Sequence, residues 1–313
     1  MLARVASNLF WMGRYIERAE HVARFMSVNY FSSLDAPNQL SQSREFVLQS
    51  IMNMVGDDDL NVKLTEEDVL YNVGLNEDKP YSIIQCIKIA RENANSARDL
   101  ISTELYESIN RFYHFVVNYD AKAFVKSGLY DFTLHITEGT SVLRGKIRGT
   151  LMHDEVYALI MLGINIERST QIIRIIQTKY IDAQKATGGY SNPIKNSFEW
   201  TTLLKCAESY DMMRRFYKKA PNSLTTLEFL ILNPACPRSV MNSLNQVHKH
   251  INVVDSIKVR DKSSAAFLIG KMRCEYEFKH IHEIEEDVKD FIQTTLDTLV
   301  EISVKLEKEY FNY

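Results

Sequence analysis

The chain has 313 residues, 45% hydrophobic and 25% charged, with only 11 glycines and 6 prolines. That length can bury a large core, as one big domain or two moderate ones, and the scarcity of loop-forming residues points to helix nearly throughout. A net charge of −3 with both signs interspersed excludes a basic nucleic-acid footprint or a polybasic membrane patch, and no apolar run reaches the roughly 18 residues of a membrane helix.

The opening MLARVASNLFWMGRYIER mixes Arg and Glu into its apolar positions and lacks a small-residue cleavage site. It therefore reads as a helix over residues 2 to 29 rather than as a signal peptide. Pro37 and its polar neighbours break the pattern over 31 to 42. A second helix spans 43 to 55 and stops at Gly56, and Thr65 followed by three acids caps a short helix ending near Gly74. Pro80 and Ser82 open a strong helix, SIIQCIKIARENANSARDLIS. Its apolar row holds Ile83, Ile87, Ala90, Ala94, Ala97 and Ile101, beside a polar row of Arg91, Asn95 and Arg98.

Further helices are expected over 103 to 118 and 129 to 153. Asp154 and Glu155 then lead into a long one that runs to about Lys179, its first-turn acids suiting the positive end of the helix dipole. Residues 182 to 196 make the clearest linker. Helices follow over 197 to 219 and 224 to 232, and Pro237 is expected at the first position of the next. Two more, over about 256 to 279 and 282 to 311, finish the chain. Nowhere does an alternating strand pattern occur.

Two of these helices are copies. Residues 9–26, LFWMGRYIERAEHVARFM, align without a gap on 159–176, LIMLGINIERSTQIIRII, at an offset of 150. Gly13 falls on Gly163, Ile16-Glu17-Arg18 on Ile166-Glu167-Arg168, and Arg24 on Arg174. At 3.6 residues per turn Gly13, Glu17, Glu20 and Arg24 share a row, as do Gly163, Glu167, Thr170 and Arg174. The second copy is apolar almost all round, so its charges are expected to be buried and to need partners. Losing one member of a buried pair costs about 3–5 kcal/mol.

The expected architecture is all-α: an internally duplicated helical bundle, with repeats over about 1–150 and 151–313 in one domain. Its two long Glu-Arg helices would pack antiparallel at a central pseudo-two-fold core, Glu17 near Arg174 and Glu167 near Arg24, with the two glycines permitting close approach. A weaker match of PRSVMNSLNQVHKHI to ARENANSARDLI extends the duplication beyond one helix. The charges admit three uses: a buried ionic lock, a polar ligand pocket, or solvated faces.

Standard catalytic signatures are missing: there is no glycine-rich phosphate loop, HExxH or GxSxG. Glu277 and His280 form an ExxH spacing with His282, Glu285 and Glu286 nearby. A di-iron bundle needs two such motifs and two further glutamates, so a solvated helix junction is the simpler reading. His248 and His250 are two apart and lie on different sides of a helix. Cys86, Cys206, Cys236 and Cys274 are scattered, which fits a reduced, cytoplasmic protein with buried thiols, and no cofactor or metal is implied. Glu17 and Glu167 are the candidates for acid/base work, but neighbouring arginines would hold them ionised. That favours a structural or carboxylate-recognition role. Arg14, Arg18, Arg91, Arg98, Arg168 and Arg238 can hold a carboxylate, phosphate or peptide terminus through forked hydrogen bonds. Trp11 and Trp200 read as packing residues.

Four stretches, MLARVASNLFWMGRYIERAEHVAR, ARENANSARDLIS (90–102), LGINIER (162–168) and FLILNPACPRSV (229–240), occur in order along the whole chain. Together they resemble the bacterial alpha-E family, named for an all-helical domain with a recurring Glu-Arg motif. By that resemblance the motif residues are Glu17, Arg18, Arg24, Arg91, Asn93, Arg98, Glu167, Arg168, Arg174, Pro237, Arg238 and Ser239. The second copy departs from the pattern, with Ser169-Thr170 where Ala followed by an acid is expected. No established activity comes with the resemblance. Family members keep genomic company with ATP-grasp ligase-like proteins of permuted order and with transglutaminase-like proteins. This implies a peptide- or amide-forming modification system, in which the helical protein is a non-catalytic accessory or scaffold that docks such an enzyme or presents its peptide substrate. An enzyme or peptide-carboxylate binder using an Arg/Glu-lined pocket is the alternative, and a metal-binding bundle the third reading.

Overall fold

The computed structural model describes residues 2–37, 39–57, 65–187, 193–254 and 261–311, and these are all-α, with no strand among them. The first half supplies α1 (Ala3–Ser32), α2 (Arg44–Val55), α3 (Glu66–Gly74), α4 (Ile83–Ser96), α5 (Thr103–Val117) and α6 (Leu129–Thr150). The second supplies α7 (Glu155–Thr187), α8 (Pro193–Cys206), α9 (Tyr210–Tyr217), α10 (Ser223–Leu232), α11 (Val240–Val254), α12 (Ala265–Glu277), α13 (Ile281–Glu286) and α14 (Val288–Leu306). Local chemistry sets many of the ends. Thr65, Ser82, Ser102, Asn222, Ser264 and Asp287 each accept a backbone N–H as N-cap. Gly56 closes α2 at φ +79°, a left-handed conformation that glycine adopts without penalty.

Several expected boundaries move. At Ala97 α4 ends and a 3-10 turn follows, so the apolar row does not continue as one helix to Ile101. The helix expected over 197–219 is two, separated at Glu208, whose φ of +53° breaks the winding. Ser239, not Pro237, sits at the start of α11: its hydroxyl accepts the Asn242 N–H at 3.0 Å, the work of an N-cap. The last helix is interrupted at Asp287, whose carboxylate caps α14. Helix α7 runs on to Thr187, and the middle of the expected linker, residues 188–192, lies outside the described residues.

The centre of the molecule is α1 laid along α7. Around them α4 packs on α1 and α11 on α7, α5 on α4 and α12 on α11, while α6 and α14 return to α1 and α7 respectively. Both central helices are buried on most faces, with Leu9, Phe10, Met12 and Ile16 from one and Ile160, Ile164, Ile172, Ile173 and Ile176 from the other at 0–1% exposure. The direction of packing overturns the antiparallel expectation. Side-chain hydrogen bonds between the two helices join residues 149 to 153 apart in sequence, so they run parallel with residue i beside residue i+150. The crossing is fixed by the glycines. A Cβ on Gly13 would collide with the Ile160 carbonyl, and one on Gly163 with the Phe10 carbonyl. Among the described residues no helix is long and apolar enough to cross a membrane.

Candidate functional site

Just beyond that crossing the Glu-Arg dipeptides meet. Arg168 of α7 donates to Glu17 of α1 through Nε at 2.6 Å and Nη2 at 3.0 Å. Arg18 of α1 donates to Glu167 of α7 through Nε at 2.6 Å and Nη2 at 3.1 Å. Each glutamate is thus held by a forked contact from the other helix's arginine, and each is also held one turn along its own helix, by His21 at 3.1 Å and by Gln171 at 2.7 Å. Arg14 adds a third donor to Glu167 at 2.7 Å. Both carboxylates are fully buried.

These partners replace the expected ones. Glu17 meets Arg168 rather than Arg174, and Glu167 meets Arg18 and Arg14 rather than Arg24. Parallel packing explains the change. With i beside i+150, a glutamate at 17 faces the segment around 167, and Arg174 lies six residues past Arg168, roughly 9 Å along the axis.

On the Glu17 side the network widens. Glu20 accepts from Arg24 at 2.7 Å, from Arg238 at 2.7 Å, and from Arg144. Glu208, half-exposed at the rim, receives Arg24 at 3.1 Å and Arg238. Four arginines therefore surround three glutamates. Burial by itself would push the two central carboxylates upward. For Glu17, Arg168, His21 and Arg238 outweigh it, and for Glu167, Arg18, Arg14 and Gln171 do, so both stay well below the usual carboxylate range. Arg144, desolvated and set beside Arg238 and Arg168, is lowered to about 10 and remains charged at neutral pH. His21 is pushed down by its burial, so its ring is neutral.

A second buried cluster, which the sequence reading missed, lies farther along the same helix pair. Lys179 bonds Asn29 at 2.9 Å, Asp182 at 2.8 Å and Glu199 at 3.0 Å, with Ser50 on Asp182 and Ser41 on Glu199. Burial pushes Asp182 up, since one ammonium serves two carboxylates. The legible signal was the i, i+3 spacing of Lys179 and Asp182. Arg14, read as a candidate anion-holding arginine, and Glu20, read in the row of Glu17, also belong to the central network, as do His21, Arg144 and Glu208, which no motif singled out. His21 lies one turn from Glu17 on the same helix, whereas Arg144 could be found only by knowing which helix faces which.

The remaining motif residues fall elsewhere. Arg91 bonds Asn110 at 2.8 Å and lies over Tyr113, and Arg98 lies over Tyr106. Neither reaches the central glutamates, and Asn93 lies on α4 beside them in sequence. Ser239 acts behind Arg238, capping α11 and donating to the Asn233 carbonyl at 2.5 Å, which fixes the turn that aims the guanidinium inward. Arg174 lines a cleft with Arg14, Arg18 and Trp11. The ExxH group is spread over exposed positions, where Glu277 pairs with Arg273 and His282 with Glu285. Cys86, Cys206 and Cys236 are buried and Cys274 is exposed, all four as free thiols. Trp200 is a core residue at 1% exposure.

The chain resembles uncharacterised proteins of Mycobacterium bovis and Mycobacterium tuberculosis, 21% identical over 315 residues. That likeness covers 95% of this chain and 35% of each relative, so the chain spans about a third of the length of the curated relatives it matches. No solved structure matches it. The profile of the Alpha-E family, described as "a predicted alpha-helical domain with a conserved ER motif", matches residues 1–311. With Glu17-Arg18 and Glu167-Arg168 clasped across the core of an all-helical fold, and that profile running almost end to end, this chain belongs to the Alpha-E family.

Proposed function

We propose that this chain is a non-catalytic helical scaffold that serves a peptide- or amide-forming modification system, docking an ATP-grasp ligase-like or transglutaminase-like enzyme or presenting its peptide substrate. The observation that carries the non-catalytic half of this reading is the engagement of Glu17 and Glu167. Each is fully buried and held by at least three donors, so neither is placed to take a proton from a substrate. A core clamped by charge-assisted bonds suits a body that must present a fixed surface. The choice of partner comes from the company that alpha-E proteins keep. In the mycobacterial relatives the matching region is one part of a longer polypeptide, which also suits a module working beside other domains. The reciprocal contacts of the two Glu-Arg helices support an internal duplication as the origin of the fold.

The test is capture of a purified ATP-grasp ligase-like or transglutaminase-like protein by this chain, repeated with Arg168→Ala. The reading expects capture by the wild-type protein and a variant that loses its fold. A folded Arg168→Ala variant that has lost binding or an activity would instead assign these charges to a site. Capture of neither enzyme class would remove the scaffold reading.

A further inference from the structure

We infer that the cleft between α1, α7 and α14 binds a small monocarboxylate with an apolar body. The cleft encloses about 230 Å³, with Arg14, Arg18 and Arg174 on one side and Trp11, Leu299 and Val304 among its apolar walls. A guanidinium carries five N–H donors. Arg14 directs Nε to Glu167 and one Nη1 hydrogen to Ser303, and Arg18 directs Nε and one Nη2 hydrogen to Glu167. Arg174 makes no hydrogen bond or ion pair with any described residue; it lines this cleft beside the two other arginines, and its Nη1 also lies near Gly56 at the end of α2. Among the described residues the carboxylate that acts on Arg174 is Glu167, already engaged by Arg14, Arg18 and Gln171, which leaves a half-buried cation short of counter-charge.

The two copies differ at the position that would pair with this arginine. At the offset of 150, Arg174 corresponds to Arg24, which Glu20 holds four residues back at 2.7 Å. Thr170 stands at the corresponding position, and its hydroxyl donates to the Ile166 carbonyl instead. An acid that the first copy carries is absent from the second, and a ligand carboxylate supplies it.

Charge selects the class of anion. The lining contains Arg14, Arg18 and Arg174 against Glu167 and Glu307, a sum of +1 that a monoanion neutralises and a phosphate dianion overshoots. Planar guanidinium groups match a planar carboxylate through forked bonds. The volume falls below the roughly 300–1,000 Å³ of drug-sized sites, which limits the body to a short chain. Either a free short-chain acid or the C-terminal residue of a peptide has this chemistry. The site does not depend on the scaffold reading, which needs no ligand.

Trp11 is a built-in reporter, since the Arg14 guanidinium lies 4.8 Å from its ring while Trp200 is buried. Hexanoate, hexanamide, inorganic phosphate, and an N-acetylated tripeptide ending in leucine as free acid or amide would be titrated by calorimetry and tryptophan fluorescence. The proposal expects saturable binding of hexanoate, of the free-acid peptide, or of both, and of neither amide. Which of the two binds identifies the source of the carboxylate. Arg174→Gln should weaken binding by roughly tenfold or more. Thr170→Glu should abolish it while the melting temperature holds or rises, because the new acid pairs with Arg174 from i, i+4. No saturable binding of either carboxylate, phosphate bound as tightly as hexanoate, or a folded Thr170→Glu variant that binds as well as the wild type would each overturn the assignment.

Discussion

At the scale of single residues, the dominant fact is that Glu17 and Glu167 are charged although fully buried. Their stability contribution is conditional on the arginines. Replacing Glu167 by Leu leaves Arg14 and Arg18 facing each other without a counter-charge, and should cost about 3–5 kcal/mol of unfolding free energy in denaturant titration. Acid acts on the same groups. Glu17 and Glu167 are held below the ordinary value of 4.5, so the folded state binds fewer protons than the unfolded one. The stability they confer is complete above about 4.5 and declines below it, by up to about 1.4 kcal/mol per pH unit for each group. Burial lowers His21 and His250 from 6.5, the latter to about 4, so their share is complete above 6.5 and is lost as pH falls toward those folded values. Asp182, pushed up from 3.8, works in the opposite direction over the interval just above that value. The melting temperature should therefore begin to fall below pH 6.5 and fall more steeply below 4.5. A rise on acidification across that range would count against the assigned directions. The sequence made it legible that the charges of the second copy are buried and need partners, because apolar residues occupy almost all of that helix, though it left a lock, a pocket and solvated faces open. It did not reveal the partners. A row along one helix says which residues share a side, whereas Arg168 rather than Arg174 is chosen by where the partner helix crosses.

Helices were readable where their chemistry is local. Thr65 and Ser82 announced the starts of α3 and α4 through capping side chains, and Gly56 announced the end of α2. Breaks that depend on tertiary packing were not announced. Glu208 adopts φ +53° in a stretch with no glycine or proline, and its carboxylate is drawn to Arg24 and Arg238. Lys218 shares that φ at the end of α9 but is exposed. Lys218→Gly should thus stabilise the protein by about 1 kcal/mol, because a left-handed conformation costs an L-residue about that much. Thermal melting decides this, and a lower melting temperature would show that the lysine has a role beyond the turn. At the crossing, Gly13→Ala or Gly163→Ala places a methyl group against a facing carbonyl and must force α1 and α7 apart. Each should cost at least the 1–3 kcal/mol typical of overpacking, whereas alanine at an ordinary helical glycine would be stabilising. Chemical denaturation of the two variants distinguishes these signs.

Over the whole molecule, the all-helical class and the central place of the two Glu-Arg helices were legible from composition and from one repeated segment. Their parallel direction was not. More than 100 residues separate α1 from α7, so connection length leaves both directions open. Gly13, Glu17 and Arg24 lie along a helix row that can be read either way. What decides the direction is mutual fit: Phe10 over Gly163, Ile160 over Gly13, and each glutamate one residue out of step with the other's arginine. The consequence is that the first and second halves of the chain meet in an apolar core that also carries a few directly paired, desolvated charges. The most direct measurement of that claim is a double-mutant cycle across the junction, comparing the unfolding free energies of Glu17→Gln, Arg168→Met and the two combined. With the pair buried and reciprocal, each single change should cost about 3–5 kcal/mol and the double change well under their sum; costs that simply add to within about 0.5 kcal/mol would contradict a direct pairing of the two helices.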